Sequence, residues 1–347
     1  MYGDMSSRVM EVLGRFASEI EVYSIDEAFL NLEGFERRDL TAYAREIRAT
    51  VRKWTGIPVS VGIGPTKTLA KVANHVAKKL PVAGGVWNLS GEFESELDAL
   101  LEATPVEEVW GIGPVYRDLL RRHGITTAKA LRDADDRWVQ KHMTVVGLKT
   151  VWELRGISCL PLELCPPPKK GICVSRSFGR PVETLREMHE AISTYAARAA
   201  EKLREERLLA GQMVVFLRTN PFKEEPQYAN SVSVKLPVPT SLTPELLSYA
   251  SEVTDRIWRQ GFRYKKAGVF LTEMSQASCI QPAFFDEIHR ERAGRLMRTV
   301  DRINERLGSD VIRYGSMGFS ERWAVKAGRR SPAYTTRWED LPATCAR

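Results

Sequence analysis

Two adjacent carboxylates stand inside an apolar, strand-forming stretch, Tyr23-Ser24-Ile25-Asp26-Glu27-Ala28-Phe29. On a regular strand neighbouring side chains face opposite sides, so both reach one site only where the chain turns or bulges. One reading is a polar hairpin tip. The other is a hard-cation site, because carboxylates flanked by Ile25 and Phe29 in a central strand need a partner and Mg²⁺ supplies one. A second feature, Gly111-Ile112-Gly113-Pro114 followed by Leu119-Leu120 and Gly124-Ile125, reads as helix, glycine turn, helix. Its glycines make an ordinary turn, or they let backbone N–H groups at the next helix start hold a phosphate without reading a base. Arg117, Arg121 and Arg122 follow directly. A third group is Lys67, Lys71, Lys78 and Lys79. These form a solvated helix face, or Lys78 and Lys79, just before Gly84-Gly85, reach a triphosphate.

The elements that must position these groups follow from hydrophobic spacing. Residues 4–17 read as a helix capped by Asp4 or Ser6, with Val9, Leu13, Phe16 and Ala17 on one stripe. Residues 20–32 are rich in strand formers. Asp39 caps a helix whose inward stripe is Leu40, Tyr43, Ala44, Ile47, Val51 and Trp54, and Ile57, Val59, Val61 and Ile63 alternate as a strand. Gly62-Ile63-Gly64-Pro65 turns, and Thr66 starts a helix through Lys79 with Leu69, Val72, Ala73 and Val76 inward. From 91 to 165 the strand signal gives way to short helices. Pro166-Pro167-Pro168-Lys169-Lys170 is a stiff basic connector and marks a domain edge. Beyond it come strand 172–179, helix 183–208, strands 212–218 and 228–236, helix 243–260 and strand 264–273. That βαββαβ order is a split βαβ arrangement, with two helices over one sheet face and the other left free. Arg176, Arg180, Arg218 and Lys235 border the sheet. A basic helix near 289–307 and a Trp/Arg-rich end from Trp323 to Trp338 follow.

Composition bounds the class. The 347 residues allow two or three domains, and 43% hydrophobic with 27% charged residues disfavours disorder and membrane classes. No apolar run approaches the ~18 residues needed to span a bilayer, and the start has neither a basic nor an apolar signal region, so the expected location is the cytoplasm, away from any membrane. Five cysteines form no CxxC and no zinc spacing, which fits reduced thiols. The net charge of +7 is uneven: residues 91–165 carry −4, whereas 166–236 and 286–347 carry +4 each. Such a balance suits a polyanionic partner.

Taken in order, these residues resemble a Y-family, translesion DNA polymerase, and within it the UmuC branch. Ser24-Ile-Asp-Glu-Ala28 resembles the family's palm motif, Gly62-Ile-Gly-Pro-Thr-Lys-Thr-Leu-Ala-Lys71 its following turn and helix, and Val109-Trp-Gly-Ile-Gly113 the helix-hairpin-helix of the thumb. The βαββαβ unit stands where the family has its little finger. Val174-Ser-Arg-Ser-Phe-Gly179 and Ser331-Pro-Ala-Tyr-Thr-Thr-Arg337 are similar to UmuC in particular. The implied fold is α+β and multidomain: a partial palm over 1–90, a helical thumb over 91–165, a linker over 166–171, a little finger over 172–277 and a UmuC-type tail over 278–347.

The resemblance implies error-prone, template-directed nucleotidyl transfer from dNTP to a primer 3′-OH in DNA repair and SOS mutagenesis. Asp26 and Glu27 would be catalytic metal ligands for two Mg²⁺ ions, one lowering the pKa of the 3′-OH and one clamping the triphosphate. Lys78 matches the triphosphate-binding lysine. Gly111 and Gly113 would sit on a primer or template phosphate, and Arg176, Arg180, Arg218 and Lys235 on the DNA backbone. Gln281-Pro-Ala-Phe-Phe285 resembles a sliding-clamp peptide, with Gln281, Phe284 and Phe285 as its anchors, although the phenylalanines could instead pack back on the chain. Partners implied by the branch are primer-template DNA, dNTP, the sliding clamp, a processed UmuD dimer and a RecA filament.

One departure matters. The family's palm begins with a strand bearing a further metal-binding aspartate, then a steric-gate aromatic and the fingers, and none of these is found in the chain. The match to Tyr2-Gly-Asp-Met-Ser6 lies well inside UmuC proteins, so a misassigned start, a truncation or a cloned fragment is expected. The competing expectation is a non-catalytic fragment that binds damaged DNA and the clamp. A nucleotide cyclase with a similar palm is disfavoured, because cyclases need neither the Gly111 hairpin nor the 172–273 unit.

Overall fold

A computed structural model describes all residues except 36, 91–93, 166, 279–287, 321, 326–327 and 344–347. The chain divides into two compact units, Met1–Pro166 with Ser331–Arg347, and Pro167–Arg330. The division falls inside the proline run, where the rings restrict the backbone.

In the first unit, helix α1 (Tyr2–Leu13) lies against α2 (Leu40–Thr55), burying Val12, Tyr43, Ile47 and Val51. The Asp39 carboxylate caps α2 by accepting from the Thr41 and Ala42 amides. Helix α1 starts at Tyr2 without a side-chain cap, so neither Asp4 nor Ser6 serves as one. The 20–32 stretch is not a central strand. It forms a hairpin of two three-residue strands, β1 (Ile20–Val22) and β2 (Ala28–Leu30), paired antiparallel with Val22 opposite Ala28. The chain reverses because the Tyr23 and Ser24 amides both donate to the Glu27 carbonyl.

Strand β3 (Val61–Ile63) pairs in parallel with β4 (Val86–Asn88), and α3 (Lys67–Lys79) connects them. Thr66 caps α3 through its hydroxyl, which accepts from the Leu69 amide. Gly62 and Gly64 permit very close packing of strand on helix: a Cβ on Gly62 would lie 2.1 Å from the Asn74 backbone nitrogen, and one on Gly64 2.7 Å from that of Ala70.

Residues 91–165 pack against α3. Leu69 and Val72 of α3 share one core with Leu101, Leu120, Leu131, Met143 and Val151. Those residues come from α4 (Glu94–Ala103), α5 (Pro114–Arg122), α6 (Ala128–Arg132) and α7 (Asp136–Leu154). Glu153, fully buried, ties the parts together: its carboxylate accepts from the backbone amides of Thr68, Cys159 and Leu160, and the Thr66 hydroxyl donates to its carbonyl.

The second unit is a four-stranded sheet of order β5-β8-β6-β7, every neighbouring pair antiparallel. Its strands are β5 (Ile172–Val182), β6 (Leu208–Thr219), β7 (Ala229–Thr240) and β8 (Tyr264–Gln276). Helix α8 (Leu185–Glu205) links β5 to β6, with β8 inserted between those strands. Helix α9 (Thr243–Ile257) links β7 to β8, with β6 inserted. Two split βαβ units thus interleave. Both helices cover one face, packing Met188, Ile192, Leu203, Leu246 and Val253 on Val174, Met213, Val215, Leu217 and Val269. Trp323, 3% exposed, joins this core between Phe178 and Tyr195, so part of the tail belongs to the second unit.

Candidate nucleic-acid and metal sites

The hairpin loop brings Asp26 and Glu27 to one exposed turn. The Ser24 hydroxyl donates to Asp26 Oδ1 at 2.6 Å, and the Ser6 hydroxyl of α1 holds the loop by donating to the Ile25 carbonyl at 2.6 Å. Glu27 has a partner from the protein itself, because Lys71 Nζ lies 2.5 Å from Glu27 Oε1. One turn earlier on α3, Lys67 pairs with the buried Glu21 of β1 and donates to the Pro161 carbonyl. These lysines therefore face the hairpin rather than solvent. Spacing at i and i+4 on a helix next to a carboxylate-bearing strand was the available signal.

The same lysines sit among aromatic rings. Lys71 Nζ lies 5.3 Å from the Tyr23 ring centroid and 5.9 Å from that of Trp110, and Lys67 Nζ lies 5.1 Å from Phe29. Trp110 Nε1 donates to the Tyr23 hydroxyl at 3.1 Å, and its ring meets Tyr23 and Phe29 at 5.4 and 5.6 Å. Trp110 immediately precedes the glycine turn and Tyr23 immediately precedes the acidic loop, so the two hairpins are joined side by side. No local pattern marks Trp110, because its partner lies 87 residues away.

At the glycine turn, Gly111 adopts φ +92°, a conformation that favours glycine, and Gly113 caps α5 with no side-chain hydrogen bond. Pro114 has no N–H, which leaves the first-turn amides of Val115 and Tyr116 pointing out of the helix start. The neighbouring arginines are not free cations. Arg121 pairs with Glu107 at 2.5 Å and Arg117 with Asp118 at 2.9 Å, and Arg122 donates to the Asp118 carbonyl. Lys78 is exposed, and seven residues on from Lys71 it lies on the same face of α3, about 10 Å further along the axis.

Among the described residues no group of three or more His, Cys, Asp or Glu side chains is placed to hold a metal ion. Asp26 and Glu27 are the two acidic side chains of this loop, and Mg²⁺ sites commonly use one or two carboxylates completed by phosphate oxygens and water.

On the second unit's open sheet face, Arg218 stands opposite Lys266 in the β6–β8 register, and Lys235 stands opposite Gln212. Lys266 shares this face because it lies one position out of step with the buried Ala267, Val269 and Leu271. Arg176 and Arg180 are not on this face. Arg176 pairs with Ala267 in register, which places it in the row of Val174 and Leu217 on the helix-covered side at the edge strand. Arg180 forms an ion pair with Glu187 of α8. Strand parity thus separates Arg176 from Arg218, Lys235 and Lys266, whereas Arg180, within the register shift between Ser177 and Val182, is directed by its pairing with α8. Gln281, Phe284 and Phe285 lie outside the described residues. Among the described residues no helix is long and apolar enough to cross a membrane.

Comparison with known proteins places these features in context. Residues 1–75 match the impB/mucB/samB family, 169–284 the impB/mucB/samB family C-terminal domain, and 294–343 a domain of unknown function (DUF4113). The chain is 43% identical to Protein SamB of Salmonella typhimurium over 99% of its length and 81% of the relative's. It is 44% identical to Protein UmuC of Salmonella typhimurium strain LT2, over 98% and 81%. A solved Y-family DNA polymerase chimera, Dbh-Dpo4(243-245)-Dbh, superposes with a TM-score of 0.59 at 22% identity, covering 78% of this chain and 76% of the other.

Proposed function

The chain belongs to the impB/mucB/samB family, the UmuC-like Y-family DNA polymerases of translesion synthesis and SOS mutagenesis, and on that premise we propose how its own residues serve that chemistry. The first unit supplies palm and thumb, and the β5–β8 sheet with α8 and α9 supplies the little finger. Asp26 and Glu27 present carboxylate oxygens to a divalent cation, Mg²⁺ in the cell, at the exposed end of the β1–β2 hairpin. When bound, such an ion neutralises triphosphate charge and acidifies the primer 3′-OH.

The chain's residues perform the rest by positioning. Lys71 and Ser24 fix the rotamers of the two carboxylates. Lys78, on the same helix face, meets the triphosphate of an incoming dNTP as a point charge. Gly111, Gly113 and the α5 amides hold a primer or template phosphate without reading its base. Arg218, Lys266 and Lys235 track the DNA backbone. The observation that carries this reading is the joining of the acidic loop to the glycine turn through Trp110 and Tyr23, which sets metal ligands beside a phosphate cradle. Like charges directly opposite on neighbouring strands, as in Arg218 and Lys266, are destabilising alone and are relieved by a polyanion.

Mg²⁺-dependent extension of a primer past an abasic site tests the reading, with Asp26→Ala as the control. Extension lost in Asp26→Ala supports it, and extension unaffected by that change overturns the catalytic assignment. A second reading, a DNA- and clamp-binding protein without catalysis, is favoured by the Lys71 ammonium that already pairs with Glu27. It requires salt-sensitive binding to primer-template DNA with no incorporation. Residues 281–285 as a clamp-binding peptide, the processed UmuD dimer and RecA filament as partners, and the cytoplasm as location complete the proposal from family resemblance.

A further inference from the structure

Helix α10 (Arg290–Leu307) opens the region matched by the domain of unknown function, and nothing in the reading above uses its outer face. The helix contains six arginines and no lysine. Its inner side is committed to folding. Arg204 of α8 makes a two-pronged ion pair with Asp301, both contacts 2.6 Å, and Arg290 pairs with Glu245 of α9 at 3.3 Å. Met297 is buried and accepts from the Tyr314 hydroxyl. These anchors fix α10 on α8 and α9, the layer that covers the sheet face opposite Arg218, Lys235 and Lys266.

The outer side is different. Arg292, Arg295, Arg298, Arg302 and Arg306 are all exposed. At 100° per residue they fall within an arc of about 120°, and Arg295 to Arg306 span about 16 Å along the axis. Arg295 has only a loose 3.9 Å contact with Glu291, and Arg298, Arg302 and Arg306 form no ion pair among the described residues. Like charges repeated at i, i+3 and i+4 cost a few tenths of a kcal/mol each in a free helix. Here they are held in place by an inner face that does not require them.

We infer that this arginine face of α10 is a second nucleic-acid surface, binding the phosphodiester backbone on the side of the second unit away from the open sheet. Arginine rather than lysine suits phosphate, because the planar guanidinium makes two parallel hydrogen bonds to its oxygens. Successive turns present one guanidinium roughly every 5 Å, so several neighbouring phosphates are met at once and no base is read. The surface is additional to the sheet contacts proposed above and does not depend on them.

The test uses the full chain with fluorescently labelled single-stranded and duplex DNA, titrated between about 50 and 200 mM salt, over which the Debye length falls from about 14 to about 7 Å. Replacing Arg298, Arg302 and Arg306 together by glutamine lowers the slope of log affinity against log salt by roughly 2 on single strands and 3 on duplex. The Arg218→Gln/Lys266→Gln variant reports the sheet separately, so either surface can fail alone. Replacing the same three arginines by lysine keeps the slope and weakens binding less. On the unmodified protein, DNA protects Arg298, Arg302 and Arg306 from phenylglyoxal, read by mass spectrometry. Parent affinity and slope in the glutamine variant, or no protection of these arginines, overturns the inference. Binding of an acidic protein by this face with DNA affinity unchanged also overturns it.

Discussion

Lys71 Nζ lies 2.5 Å from Glu27 Oε1, so one of the two carboxylates proposed to bind a cation is already paired with an ammonium from the neighbouring helix. The pair is partly exposed, and solvent screens it. Its consequence is competition: the ammonium and a divalent cation both draw on the same oxygen. Lys71→Ala therefore raises Mn²⁺ affinity at the hairpin about tenfold, and Glu27→Gln lowers it by a similar factor, because a unit charge near 5 Å is worth of the order of 1–3 kcal/mol at a protein surface. Mn²⁺ titration by electron paramagnetic resonance measures both.

Trp110 links the glycine turn to the acidic loop by one hydrogen bond and two ring contacts. Trp110→Ala destabilises the first unit by about 1–2 kcal/mol, from the lost ring contacts and hydrogen bond. Urea unfolding followed by fluorescence measures it, and Trp110→Phe recovers the ring part only.

The close approach of β3 to α3 leaves no room for a methyl group. Gly62→Ala, whose Cβ would meet the Asn74 backbone nitrogen, costs about 3 kcal/mol, and Gly64→Ala costs less. Soluble yield and thermal midpoint report both, with Gly113→Ala as a clash-free comparison that loses only N-cap preference, because nothing lies within 4 Å of its added Cβ.

Asp136 starts α7, and its carboxylate is held below the ordinary value of 3.8 by hydrogen bonds from the Trp152 indole and then the Arg155 guanidinium. A depressed acid stabilises the folded state above its unfolded pKa, and that contribution is lost as pH falls through the folded value. Asp136→Asn thus lowers the thermal midpoint at pH 7, and the difference from the parent shrinks below about pH 4. Melts across pH 2.5–7 check the convergence.

On the second unit's sheet, strand parity separates basic residues that were adjacent in the sequence argument. Arg218→Gln with Lys266→Gln reduces the salt slope of DNA binding by roughly 1.5 to 2. Arg180→Gln leaves it unchanged and instead frees Glu187. A slope that responded to Arg180 and not to Arg218 would reverse the face assignment.

Much of the architecture is legible in the chain because it is written at short range. Alternation marks β5 to β8, a 3.6-residue stripe marks α8 and α9, Thr66 and Asp39 mark helix starts by their side-chain chemistry, and Gly111 marks a backbone turn. Asp26 and Glu27 stand out for the same local reason, two carboxylates among apolar neighbours. Even the arginine face of α10 follows from a helical period once the helix is placed.

What only the tertiary structure decided are pairings between distant residues. Lys71 meets Glu27 across 44 positions, Trp110 meets Tyr23 across 87, and Thr68 meets Glu153 across 85. Periodicity assigns a residue to a face, but which element covers that face depends on how helix and strand close on one another. That closure turned Lys67 and Lys71 of α3 inward to the hairpin, packed residues 91–165 and α3 in one core, and placed Arg176 and Arg180 on the helix side of the sheet. The physical reason is common to all three: backbone geometry sets side-chain direction locally, whereas the partner is selected by burial and charge compensation only after the chain has folded.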